Sequence, residues 1–237
     1  MLLAVDTSTP QIGLALYDGF SVLAEMLWTT KTRHTVELAP AVTQLLLRAN
    51  KEIGEIKALG TAIGPGSFTS LRVGLSFIKG LAFALNIPVI GIDTLDIAAA
   101  GQSGSNLQMV CSIPAGRGRF AAGLYVFKNN TSQPGNENGW RADSPPVIMT
   151  AAELSSSIKE HTIVCGEFSK DERIFLGQNP NISLMSAALG MRRPAILAEL
   201  AYKRWQAGSI DDPNNLAPNY LHLSDPIPDP VTGAKRI

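Results

Sequence analysis

The chain has 237 residues, 45% of them hydrophobic, with 20 basic and 20 acidic side chains and a formal net charge of zero. That length suits one larger domain or two small ones, and that apolar share builds a core without disulfides or metal. Balanced charge weighs against a module that grips nucleic acid by itself, since phosphate contacts call for a basic excess.

The opening MLLAVDTSTP has no basic stretch and Asp6 interrupts its apolar run, so no signal peptide is expected. Leu2–Val5, Ile12–Tyr17 and Ser21–Leu27 read as short strands, separated by turn signals at Thr9-Pro10 and Asp18-Gly19. A helix is expected within Thr35–Asn50, with Leu38, Val42, Leu45 and Ala49 at helical spacing and Pro40 complicating its start. A strand at Ala58–Ile63 enters the loop GPGS, and a helix comes next over Thr69–Asn86. Ser76, Lys79 and Asn86 break this longest apolar segment, so no membrane helix is expected. A strand at Val89–Ile92 ends at Asp93-Thr94, which caps a helix through Ala100.

Gly101–Asn106 reads as a linker, and the segment beyond it echoes the beginning of the chain. Leu2–Tyr17 runs strand, polar turn, then Gly-Leu-Ala-Leu-Tyr, and Leu107–Phe127 runs strand, polar turn, then Gly-Leu-Tyr-Val-Phe. The repeat suggests two related α/β lobes. Lys128–Pro146 reads as a mobile hairpin connection, Thr162–Cys165 as a strand and Pro194–Gln206 as a helix. Cys111 and Cys165, each in an apolar strand-like run, read as buried reduced thiols of a cytoplasmic protein, with a structural disulfide as the minor alternative. The division expected is a first lobe over residues 1–103, a second, smaller lobe over 104–223 and a loose Pro-rich tail over 224–237.

The loop in GTAIGPGSFTSLRVG (Gly60–Gly74) has the look of a phosphate cradle. No lysine succeeds its glycines, so it is no Walker A loop, and Thr69 stands where the dinucleotide fingerprint needs its third glycine. There remains a sharp strand-to-helix turn, with Ser67 or Thr69 as cap and a helix N-terminus that can attract an anion. On a 100° wheel, Arg72, Ser76, Lys79 and Asn86 fall on one narrow side of the Thr69–Asn86 helix. The apolar remainder covers about 220°, where a helix lying on one sheet needs about 100°. Burial between the sheet and neighbouring helices explains the excess, and so does docking on a partner; periodicity leaves both open.

LLAVDTS near the start, RHTVELAP, GTAIGPGSFTSLRVG and LNIPVIGIDTL together resemble the TsaB (YeaZ) family, strongly over Met1–Asp96, with Pro65–Arg72 the most specific string. After Gly101 only the strand pattern and PNYLH (Pro218–His222) look familiar. The chain departs from the family at Ser70, usually Gly, and at Thr35, usually Ser. It also reads Pro114-Ala115-Gly116-Arg117 where an Asp-Ala-Arg turn is common. The resemblance implies a two-lobed actin-like, Hsp70-type (ribonuclease H-like) α/β fold in the glycoprotease-like superfamily. It implies a non-catalytic activator of tRNA N6-threonylcarbamoyladenosine (t6A37) synthesis that pairs with a TsaD-type catalytic paralogue and, with it, a TsaE-type P-loop ATPase. Contact with tRNA would come only through that complex. The family also dimerises through first-lobe helices, which places the partner face, or that of a homodimer, at His34, Leu38, Val42, Leu45, Leu46, Leu71, Val73, Gly74, Phe77, Ile78 and Leu81.

Chemistry of the chain's own is harder to find. His34, His161 and His222 lie far apart, so they imply no metal site and leave an M22-type glycoprotease only as a remote alternative, and no Gly-x-Ser-x-Gly presents a nucleophile. An independent actin-like ATPase or kinase is the alternative reading. Asp6, Thr7 and Ser8 would serve as its first phosphate loop, with Gly64, Gly66 and Ser67 nearby as weak anion ligands. No carboxylate between Ser112 and Phe120 completes the site. Asp6 then reads as an Asx-turn residue accepting from Ser8 or Thr9, and neither catalytic residues nor cofactor are expected.

Overall fold

Leu2–Asp6 (β1), Gln11–Tyr17 (β2) and Val22–Thr29 (β3) form an antiparallel meander closed by the two expected turns. The computed structural model describes residues 1–30, 34–129 and 139–221. His34–Arg48 (α1) leads by way of a short 3-10 turn to Ala58–Ala62 (β4), which pairs parallel with β1. Phe68–Leu85 (α2) then returns the chain to Val89–Ile92 (β5), parallel with β4, and Thr94–Ala100 (α3) comes after it. The first sheet has the order β3-β2-β1-β4-β5.

Met109–Gly116 (β6) and Arg119–Lys128 (β7) repeat the hairpin of β1 and β2. Gly139–Ala142 (β8) and Val147–Thr150 (β9) both pair with β7. Ala151–Ser157 (α4), Thr162–Gly166 (β10), Lys170–Leu176 (α5) and Ile182–Leu184 (β11) complete a sheet of order β11-β10-β6-β7-β8, with β9 beside β7. Its parallel strands stand to β6 as β4 and β5 stand to β1, so the sequence repeat is a structural one. Pro194–Gln206 (α6) comes last. This is the two-lobed actin-like fold.

The lobe boundaries differ from the expected division. α1 and α2 cover one face of the first sheet through Leu38, Val42, Leu45, Ile78 and Ala82. The opposite face, Leu2, Ala4, Ala15, Ala58 and Ile90, is covered by Leu197, Ala198 and Ala201 of α6. Conversely, Leu95, Ala98 and Ala99 of α3 pack under the second sheet with Met109, Cys111 and Tyr125. Residues 208–221 also return to the first lobe, where the Asp211 N–H donates to the Val89 carbonyl (2.9 Å) and the Asn219 N–H to Ile63 (2.6 Å). The second lobe therefore comprises β6–β11 with α4 and α5, and the segment 104–223 is not one unit. Residues 222–237, including His222 and the expected tail, lie outside the described residues.

Three local readings change. Pro40 sits inside α1, where it leaves the Val36 carbonyl without its helical donor; both residues are exposed, on the solvent side of the helix. Lys128–Pro146 contains a strand with Trp140 buried, while 130–138 lie outside the described residues. α2, with 18 residues and a mean hydropathy of 1.4, is long and apolar enough to cross a membrane. Leu71, Leu75 and Ile78 are instead buried inside the lobe. Cys111 and Cys165 are buried, unpaired and in register on β6 and β10.

Asp93 caps α3 by accepting the Leu95 N–H (2.9 Å), and its other oxygen accepts from Asn219 (3.3 Å). Burial, with the nearby Asp96 charge adding to it, pushes its carboxyl up to about 6. The folded state thus holds this proton more tightly than the unfolded chain, so stability falls as pH rises from about 4 to about 6 and is level above. Asp93→Asn keeps the cap acceptor and removes the charge. It should be more stable than wild type at pH 7.5 by about 1–3 kcal/mol, a gap that closes towards pH 4 in urea titrations.

Candidate functional site

β1, β4, β5 and β10 end on the same side of the molecule, and the loops leaving them meet there. Asp6 ends β1. Its Oδ1 accepts from the Ser8 N–H (2.8 Å) and hydroxyl (2.6 Å), the Asx turn expected from the sequence. Its Oδ2 accepts from Arg192 Nε (3.0 Å), an ion pair that sequence reasoning missed. Nothing in GMRRPAIL separates Arg192 from Arg193, and only the folded chain brings residue 192 to residue 6. Arg192 also pairs with Glu167, just past β10, and donates Nη2 to Thr9 Oγ1 (3.1 Å). Burial alone would make this guanidinium less basic; Asp6 and Glu167 reverse that and hold it charged.

The glycine-rich loop folds onto the same strand end. Gly64 has φ of +112°, a conformation side chains disfavour, and exchanges hydrogen bonds with Thr94 (3.1 and 2.8 Å). A side chain at Gly66 would strike the Ser8 carbonyl, and one at Gly74 the Thr7 hydroxyl. Ser67 donates its N–H to Ser8 O (2.7 Å), and Thr7 donates its hydroxyl to Ser70 O (2.8 Å). The close approach that glycine permits is thus made by the chain's own Thr7 and Ser8. Asp6, Thr7, Ser8, Gly64, Gly66 and Ser67 do converge, and they bind one another. The second-lobe turn at Gly116–Gly118 has three positive φ angles and no carboxylate. Among the described residues, no group of three or more His, Cys, Asp or Glu side chains could hold a metal ion.

The expected partner-face residues separate into two groups. Leu38, Val42, Leu45, Leu46, Leu71, Gly74 and Ile78 are buried in the first lobe, where its own core covers most of their surface: a wheel counts apolar residues without saying what covers them. Val73, Phe77 and Leu81 are half-buried. His34 is buried, with Nε2 3.1 Å from the Thr9 carbonyl. Between α1 and α2 lies a groove of about 590 Å³, lined by His34, Leu38, Phe68, Arg72, Val73 and Phe77. Phe68, 52% exposed, is a wall residue that sequence reasoning did not single out. The Arg72 guanidinium lies 3.8 Å from the centre of its ring and donates Nε–H to the Tyr220 hydroxyl (3.0 Å). PNYLH thus supplies the rim's second aromatic.

Fold and site define a two-lobed actin-like chain whose strand-end loops are closed by its own arginine and backbone. The model of the family described as TsaD, tRNA N6-adenosine threonylcarbamoyltransferase, matches residues 22–145. The tRNA threonylcarbamoyladenosine biosynthesis protein TsaB of Bacillus subtilis (strain 168) is 30% identical over 240 residues, 94% of this chain and 95% of that protein. TsaB of Escherichia coli (strain K12) is 35% identical over 100 residues, 42% of this chain and 43% of that protein. The solved structure of YeaZ from Pseudomonas aeruginosa has the same fold, with a TM-score of 0.70 at 24% identity, covering 92% of this chain and 99% of that one. The chain belongs to the TsaB (YeaZ) family, whose named members are t6A biosynthesis proteins.

Alanine in place of a helix-interior glycine normally stabilises by about 1 kcal/mol. Gly74→Ala should instead destabilise by about 1–3 kcal/mol, because the new methyl meets Thr7. Adding Thr7→Ala should recover part of that loss in a urea double-mutant cycle.

Proposed function

We propose that the chain is a non-catalytic subunit of t6A synthesis that docks a TsaD-type catalytic paralogue along the α1/α2 groove and, with it, receives a TsaE-type ATPase. The observation that carries the reading is the groove itself: an apolar channel with exposed Phe68 on its wall and an arginine held at its rim. Buried aromatics and arginines supply much of the binding energy of protein interfaces. Supporting a non-catalytic role, both oxygens of Asp6 are engaged by Ser8 and Arg192, so the carboxylate is not free to take a metal–nucleotide. Zero net charge supports contact with tRNA through the partner alone, in the cytoplasm where tRNA is modified.

Phe68→Asp should abolish the complex with the TsaD-type homologue in size-exclusion chromatography with light scattering, while circular dichroism stays that of wild type. Phe20→Asp, at the 95%-exposed tip of the β2–β3 turn, should bind normally. A Phe68→Asp chain that folds and still binds would move the interface elsewhere. The same experiment on the chain alone reports whether two copies pair through this groove.

On the non-catalytic reading, millimolar ATP with magnesium should leave Tm unchanged. A rise in Tm that is lost in Asp6→Ala would favour an ATPase instead.

A further inference from the structure

Arg192 joins three parts of the molecule that the chain brings together from far apart. Asp6 and Thr9 belong to the first lobe, Glu167 to the second, and Arg192 to the segment through which the chain recrosses from β11 to α6. Its Nε donates to Asp6 (3.0 Å), Nη1 to Glu167 and Nη2 to Thr9 Oγ1 (3.1 Å). The Thr9 hydroxyl donates onward to the other Glu167 oxygen (3.2 Å). The side chains of Arg192 and Asp6 are 2% and 4% exposed, and that of Glu167 16%. Two carboxylates, one from each lobe, thus face a single buried cation.

We propose that Asp6, Thr9 and Glu167 form a guanidinium-binding site spanning the two lobes, and that its permanent occupant, Arg192, is the bolt that sets the angle between them. Without the cation, two nearly buried carboxylates on opposite lobes face each other unpaired, and relief comes by moving the lobes apart. A guanidinium suits the position because its planar fork bonds both carboxylates and the hydroxyl at once, as an ammonium cannot. The rival account is that the interleaved α3 and α6 fix the lobes and the ion network merely conforms to them. The bolt also adjoins the groove: Thr9 gives its side chain to Arg192 and its carbonyl to His34.

Spin labels at Gln44→Cys on α1 and Ser156→Cys on α4, both exposed, report the separation of the outer layers by pulsed electron resonance; Cys111 and Cys165 are buried away from the label. The parent should give one narrow distance. Arg192→Ala should shift or broaden it, and tens of millimolar guanidinium chloride should restore it where sodium chloride of equal ionic strength does not. Glu167→Gln and Thr9→Val, which leave the Arg192–Asp6 pair in place, should broaden it less and decide the matter if Arg192→Ala fails to fold. Distances unchanged in all the variants that fold would overturn the bolt and leave the angle to the helices. Equal restoration by sodium chloride would overturn the guanidinium site.

Discussion

Each sheet has two apolar faces, and each lobe keeps helices for only one of them. In the first sheet, Leu3 and Val5 point to α1 and α2 while Leu2 and Ala4 point the other way, as the period of two requires. That second face would remain wet if the chain stopped at Ala100. α6 covers it, and the fit depends on small residues: a side chain at Gly60 would sit 2.8 Å from the Ala201 methyl. α3 does the same for the second sheet. The final helix of each half therefore lies on the sheet of the other half, and neither sheet is covered on both faces without the helix that the other half supplies. At roughly 1.5–3 kcal/mol for each buried leucine-sized side chain, on the helix and on the sheet face it covers, the loss of either helix would be comparable with the margin by which a domain of this size is stable.

This exchange determines what happens at the strand ends. To bring α6 under the first sheet, the chain must cross from β11 past the ends of β10 and β1, and Arg192 lies on that crossing. In open α/β sheets this is the side where ligands bind. Here several polar groups bind one another: Ser67 bonds Ser8, Gly64 bonds Thr94, Asn219 bonds Ile63, and Arg192 bonds Asp6 and Glu167, while the buried Gln11 Oε1 and Ser112 Oγ have no hydrogen-bond partner among the described residues. The glycines that resemble a phosphate cradle serve backbone against backbone. A half-site in sequence is a closed joint in space.

The legible parts of the chain were those whose signals are local. The meander β1–β3, the span of α2, the cap at Asp93, the Asx turn at Asp6 and the repeated hairpin each arise from residues within one turn or strand of one another. The exchange of α3 and α6 was not legible, because a helix's apolar face says that it must be covered and does not say by which sheet. β8 was hidden by the polar stretch before it, although Trp140 marks it as inward-facing. α4 and α5 open with capping boxes, Thr150 with Glu153 and Ser169 with Glu172, a local signal that a closer reading would have used. Arg192 and Tyr220 had no local signal at all. Their partners lie 186 and 148 residues away.

The wide apolar arc of α2 shows where pattern stops being informative. Both readings of it assumed a single covering agent for the whole excess. The structure divides it instead. Leu71, Gly74, Leu75, Ile78 and Ala82 face inward, and Phe77 and Leu81 pack at the margin of the same core. Phe68 and Phe83 remain 52% and 61% exposed at the two ends of the helix. Covering by the lobe thus accounts for most of the arc and leaves aromatic residues outside it. Exposed phenylalanine is costly to keep in water, and one of the two lines a groove whose rim arginine is already oriented by Tyr220. What marks the proposed docking face is therefore not how apolar the helix is, but which of its apolar residues the fold leaves uncovered.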